Sequence, residues 1–177
     1  ISTDSKSQTT YKVQGKNAKV ESKIVTKNSV DIIKEELKKE GLNKINELIK
    51  LAKSKKNDLL LKQFSSKELV KNPNNNDDIL MYAKPNDVEY NEETILEIIS
   101  FFNDLDNKCG KKTKIYVFDT SKENEPIGFS FRLNIPGKIA KGDLACNQYT
   151  ISFRRGIDGN LFVDEWYIMP GNMDCNK

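Results

Sequence analysis

The spacing of hydrophobic residues changes along this chain, and the change divides it into a helical part and a strand part. Over residues 29–52 apolar side chains recur at helical intervals: Val30, Ile32, Ile33 and Leu37 first, then Leu42, Ile45, Leu48, Ile49 and Ala52, with Lys44, Lys50, Lys53 and Lys55 largely outside the stripe. Ser29 is expected to cap the first of two helices and Gly41 to close it. Leu59, Leu60, Leu61 and Phe64 continue the second helix or form a short one of their own, and Ser65 with Glu68 has capping-box spacing for a further brief turn. Residues 72–78, packed with Asn, Asp and a Pro, read as a loop. Asn91 ahead of Glu92 and Glu93 places a cap and two carboxylates at the positive end of another helix. Its stripe of Ile95, Ile98, Ile99, Phe102 and Leu105, widened by Leu96 and Phe101, is broad enough to be deeply seated.

Beyond Thr113 the period becomes two. Ile115 and Val117 alternate with Tyr116 and Phe118, and a polar loop over residues 120–125 predicts a hairpin. Ile127, Phe129, Phe131, Leu133 and Ile135 then alternate with Gly128, Ser130, Arg132 and Asn134; Pro136, Gly137 and Gly142 break the pattern. Tyr149, Ile151 and Phe153 alternate with Thr150, Ser152 and Arg154, and Gly156, Asp158, Gly159 and Asn160 supply a short hairpin loop into a fourth strand over residues 161–169. There Phe162, Trp166 and Ile168 share a parity with Asp164, so either a bulge intervenes or Asp164 and Glu165 sit near an edge. Strands with one oily face belong to an antiparallel sheet, because parallel strands buried on both faces read as continuous apolar runs. The expected fold is therefore α+β, with N-terminal helices packed on one face of a four-stranded antiparallel sheet. A single domain would span residues 29–177 behind a polar tether, residues 1–28, whose Ser, Thr, Lys, Gln and Asn cannot bury a core. A flexible chain of that length reaches roughly 30 Å.

Composition narrows the function by exclusion. Among 177 residues, 29 basic against 26 acidic side chains leave a net charge of +3, too weak a field for a nucleic-acid partner. The apolar runs fall far short of the ~20 residues that cross a bilayer. The chain has no histidine, which removes Ser-His and Cys-His nucleophiles, imidazole metal sites and the usual proton shuttle together. No catalytic, cofactor-binding or metal-ligating residue is therefore expected, nor any cofactor. Gly156 and Gly159 mark a turn rather than a phosphate cradle. Asp164 and Glu165, adjacent on a strand, point to opposite faces unless a bulge rotates them together. Cys109, Cys146 and Cys175 fall at expected loop positions without metal-ligand spacing. A disulfide between Cys146 and Cys175, tying down the tail, is the expected arrangement; three reduced thiols are the alternative.

What remains is the sheet's second face. Ser130, Arg132 and Asn134 on one strand and Thr150, Ser152 and Arg154 on the next form a candidate partner-binding patch, since arginine's fork suits carboxylate or sulfate and hydroxyls add hydrogen bonds. The plainer reading is an ordinary solvated β-face. Tyr116 and Phe118 would strengthen the binding reading if they share it.

The hydrophilic 28-residue leader, an Ile where a start methionine would stand, the Lys, Asn, Ile and Glu bias and a compact domain without a catalytic motif together resemble mature outer-surface lipoproteins of Lys- and Asn-rich spirochaete bacteria. The resemblance implies a lipid-modified cysteine just before Ile1, a tether, and display outside the cytoplasm with membrane contact only through that anchor. The function expected on this basis is a non-enzymatic binding or adhesion module for a host or matrix macromolecule, protein or glycan. Two other classes stay open: a small ligand carrier or enzyme of the nuclear-transport-factor-like kind, with a pocket between the helix over residues 92–105 and the sheet, and a cytoplasmic toxin-inhibiting immunity protein.

Overall fold

The computed structural model describes residues 27–71, 79–105, 114–123, 125–139 and 145–174. Its elements run α1 (Lys27–Lys53), α2 (Asn57–Leu61), β1 (Ser65–Lys71), β2 (Ile79–Pro85), α3 (Glu92–Asp104), β3 (Tyr116–Asp119), β4 (Ser130–Ile139), β5 (Ala145–Arg155) and β6 (Leu161–Asp174). The last four strands form one antiparallel sheet in chain order, β3-β4-β5-β6, and the helices cover one of its faces. This is the α+β architecture that the switch in period demands. Leu37, Ile45, Leu48 and Ala52 of α1 and Ile98, Phe101 and Phe102 of α3 bury themselves against Phe131, Leu133, Ile135, Tyr149, Ile151 and Phe153. Each large apolar side chain sequestered in this way contributes about 1.5–3 kcal/mol.

Gly41 does not close a helix: α1 runs unbroken for 27 residues. The glycine is there because helix and sheet nearly touch, and a Cβ on it would lie 2.7 Å from Leu133 Cδ1 and 3.2 Å from Phe131 Cε2. Ser29 lies inside the first turn rather than at the cap, since α1 begins at Lys27. Residues 1–26, most of the expected tether, lie outside the described part. At the other end of the helical region, Asn91 caps α3 as expected, its Oδ1 accepting from the Thr94 N–H at 2.8 Å. Leu96, however, is 59% exposed and does not widen the buried stripe.

Residues 65–71 correct a second expectation. Ser65 and Glu68 do not frame a helical turn; they belong to β1, which pairs antiparallel with β2 from Ser65↔Pro85 to Lys71↔Ile79. The apolar residues of 79–82 give Leu69 and Val70 a cross-strand partner, and pairing outcompetes a single turn of helix whose nucleation is costly. Residues 72–78, between the strands, lie outside the described part. The hairpin docks beside the main sheet, with the Tyr82 ring edge-on to Phe129 at 5.0 Å and Ala83 bridged to Gly156.

β4 starts at Ser130, later than the alternation from Ile127 suggests, and continues through Pro136 to Ile139. Proline is tolerated because β3 pairs only as far as Asn134, so at Pro136 one side of β4 is an edge where no ladder donor is required. β6 carries the bulge implied by its imperfect alternation: Ser152 pairs with Glu165 but Phe153 pairs with Val163, which leaves Asp164 as the extra residue. β6 is also an edge strand, running five residues past the expected end at Met169.

Candidate outer-face binding site

The register brings the outward side chains of the four strands into cross-sheet rows. Phe118, Arg132, Ser152 and Glu165 make one row, and Tyr116, Asn134, Thr150 and Tyr167 the next. Gln148 follows between Pro136 and Met169. Tyr116 and Phe118 therefore share the face of the proposed patch, and both rings are exposed, at 51% and 43%. The Arg132 guanidinium lies over the Phe118 ring, 5.2 Å from its centroid.

The six expected contact residues separate into two groups. Ser130 is buried, its hydroxyl 2.8 Å from that of Thr120 and its N–H donating to Ser121 Oγ at 2.9 Å, so it fastens the β3–β4 connection. Arg154 is occupied by structure: its Nε donates to Asp164 Oδ2 at 3.2 Å, and its Nη1 reaches Met81 O in the small hairpin at 3.4 Å. Ser152 is buried and Thr150 has no exposed surface at all, flanked as it is by strands on both sides. These four hold the sheet together. Arg132 and Asn134 remain, both half-buried and within reach of a partner. Thr150 still contributes indirectly, because Gln148 Nε2 donates to its Oγ1 at 3.1 Å and its hydroxyl donates to Asn134 Oδ1 at 3.3 Å. That relay fixes both carboxamides and leaves the Asn134 NH2 and the Gln148 carbonyl to face a ligand.

Beside Tyr116 the face dips into a half-open groove of about 510 Å³ lined by Lys114, Tyr116, Phe118, Asn134, Gln148, Asn172, Met173 and Asp174. Gln148 and the β6 residues lie outside the expected patch. Gln148 has the same parity as Thr150 and is lost only because the strand is expected to begin at Tyr149. Asn172 and Met173 lie beyond Met169, where the fourth strand is expected to end. Met173 closes the groove by packing on Cys146, which is fully buried inside β5 rather than placed in a loop. Cys146 is disulfide-bonded. The other two cysteines lie outside the described residues, and with them the expected pairing to Cys175.

The other candidate positions are accounted for. The bulge turns the Asp164 carboxylate onto Arg154, and Glu165 stands opposite Ser152, so the acids do not converge on one point. Between α3 and the sheet, where a ligand carrier needs a cavity, Phe101 packs edge-on to Phe102, Tyr149 and Trp166 with centroids 5.1–5.5 Å apart. That space is filled with rings. A second depression lies on the outer side of α3 among Glu92, Glu93, Leu96, Glu97 and Ser100. No described helix is long and apolar enough to cross a membrane.

Comparison with protein-family models, with curated proteins and with solved structures finds no match for this chain.

Proposed function

We propose that the protein is a non-enzymatic binding module that engages a macromolecular partner with the outer face of its sheet, around Tyr116, Phe118, Arg132 and Asn134. The observation that carries this reading is Arg132. The chain has three arginines, of which Arg154 is paired with Asp164 and Arg155 with Glu40, whereas Arg132 has no carboxylate partner among the described residues. Its Nε is buried without a hydrogen-bond partner, and its guanidinium is held in place by an exposed phenyl ring. Exposed aromatics beside an arginine are also the residue types that dominate binding energy at interfaces. The polar N-terminal segment suits a tether, and a disulfide at Cys146 accords with an oxidising compartment outside the cytoplasm.

The test is adhesion of the purified protein to immobilised matrix proteins and glycans, comparing wild type with Tyr116→Ser, Phe118→Ser and Arg132→Ala. All three variants should keep the wild-type unfolding midpoint and lose most of the binding. Undiminished binding by all three would remove this face from consideration.

One observation favours a second reading. The outer side of α3 presents Glu92, Glu93 and Glu97 around exposed Leu96, an acidic and apolar mixture suited to blocking a basic active site, as an immunity protein would. The bonded state of Cys146 weighs against the reducing compartment that this reading needs.

A further inference from the structure

The outer-face groove combines three kinds of chemistry that a single ligand class would use together. It offers aromatic platforms in Tyr116 and Phe118, carboxamides in Asn134, Gln148 and Asn172, and a cation in Lys114, while Arg132 stands at its margin, stacked on Phe118. The two rings stand on one face of one strand, two residues apart, which places them roughly 7 Å from each other. Lys114 is exposed and, like Arg132, has no ion-pair partner among the described residues. Asp174, at the opposite end beyond Met173, is the one carboxylate in the lining.

We propose that this groove binds an acidic oligosaccharide, with a uronate carboxylate on the Arg132 fork, a sugar ring stacked on Tyr116, and ring hydroxyls on Asn134, Gln148 and Asn172. The inference rests on the reading of the outer face as the binding surface and adds the ligand class. A saccharide fits better than an extended peptide because, although the groove reaches the edge strands β3 and β6, at Asn134 and Gln148 it presents side chains on strands β4 and β5, which are already paired with each other. A peptide chain gains much of its affinity from an unpaired strand edge. What this face offers instead is side-chain donors and acceptors fixed in place by the Gln148–Thr150–Asn134 relay, which suit vicinal hydroxyls. An acidic sugar fits better than a neutral one because the only arginine without a carboxylate partner among the described residues is the one on this face, and a planar carboxylate takes two parallel N–H bonds from such a fork. The modest net charge of +3 means that selectivity must come from these local contacts and not from a general attraction to polyanions.

The experiment titrates the whole chain with three probes while following backbone and side-chain amide signals by NMR. The probes are hyaluronan hexasaccharide, with alternating uronates; chitohexaose, its neutral counterpart; and hexaglutamate, a polyanion without rings or hydroxyls. The hyaluronan fragment should perturb Tyr116, Phe118, Asn134 and Gln148 and bind at least about tenfold more tightly than either control, with Arg132→Ala and Arg132→Lys both reducing affinity by about tenfold or more because lysine lacks the fork. Tyr116→Ser should weaken the hyaluronan fragment and leave the unfolding midpoint unchanged. Equal affinity for chitohexaose would overturn the acidic assignment, and equal affinity for hexaglutamate would overturn the saccharide. Should no saccharide perturb the groove while Tyr116→Ser and Arg132→Ala still abolish adhesion to matrix proteins, the ligand class falls and the binding face stands. Silence in both assays removes both.

Discussion

Residues of one type carry opposite meanings in this chain, and substitution exposes the difference. Gly41 sits mid-helix, where alanine in solvent would stabilise by about 0.5–1 kcal/mol through backbone entropy and helix propensity. Here the added Cβ would lie 2.7 Å from Leu133, itself without exposed surface, so the methyl must displace packed core. Gly41→Ala should therefore destabilise, by about 1–3 kcal/mol as overpacking does, and the midpoint of urea unfolding decides the sign. The arginines divide in the same way. Arg154→Ala breaks a pair whose side chains are each only 16% exposed and strands Asp164, which should cost about 1–3 kcal/mol; Arg132→Ala should move stability by less than about 0.5 kcal/mol. At Asp87 the effect is one of pH. Hydrogen bonds from Lys84 and Ser66, with the charge of Lys84, lower its carboxyl from 3.8 to about 2. Because the folded value lies below the unfolded one, its contribution is present above pH 3.8 and is lost as the pH falls towards 2. An NMR titration should place the Asp87 midpoint near 2 in the native chain and return it towards 3.8 in Lys84→Ala.

At the scale of elements, period was legible and contact was not. The alternation of Phe131, Leu133 and Ile135 specifies both a strand and its inward face, because a one-residue slip would turn every ring to solvent. The cap at Asn91 is readable for equally local reasons, while the imperfect alternation of β6 leaves a bulge and an edge position as alternatives that the register resolves. The role of Gly41 is not legible locally, because local rules assign glycine to helix ends, whereas its reason lies on β4, some 90 residues further along the chain. The β1–β2 pair is not legible in the sequence because each strand is too short and too mixed to show a period alone. Of the candidate site, Arg132 and Asn134 share a face by parity, whereas whether Tyr116 and Phe118 join them depends on the β3–β4 register. Which of the six polar residues remained reachable depended on flanking strands and on the small hairpin, whose Met81 carbonyl helps to occupy Arg154. Tyr149 shows the same dependence on distant partners. Its ring lies where a Cβ on residue 137 would be, only 1.8 Å from Cε2, and its hydroxyl donates to Asp104 O at the end of α3 at 3.1 Å. Tyr149→Phe should keep the packing and lose the hydrogen bond, at about 0.5–1.5 kcal/mol in denaturant unfolding.

For the molecule as a whole, the helices need only one face of the sheet, and everything specific about the other face depends on how its rim is held. On one side the hairpin and the Arg154–Asp164 pair hold it; on the other, Met173 packs on disulfide-bonded Cys146 and closes the groove. We propose that the bond joins Cys146 to Cys175. Met173 stands directly across from Cys146, and Cys175 follows Met173 by only two residues in the sequence. Closing a loop of about 30 residues restricts the unfolded chain enough to stabilise the fold by ~3–4 kcal/mol. Peptide mapping without reduction should recover the peptides of Cys146 and Cys175 linked, with Cys109 alkylated; a link to Cys109 instead would overturn the assignment. Reduction should then lower the unfolding midpoint and also weaken ligand binding at the groove, because the segment carrying Asn172 and Met173 loses its covalent restraint. Cys175→Ser should reproduce both effects without a reductant, while leaving the stacking of Arg132 on Phe118 at the opposite side of the face intact.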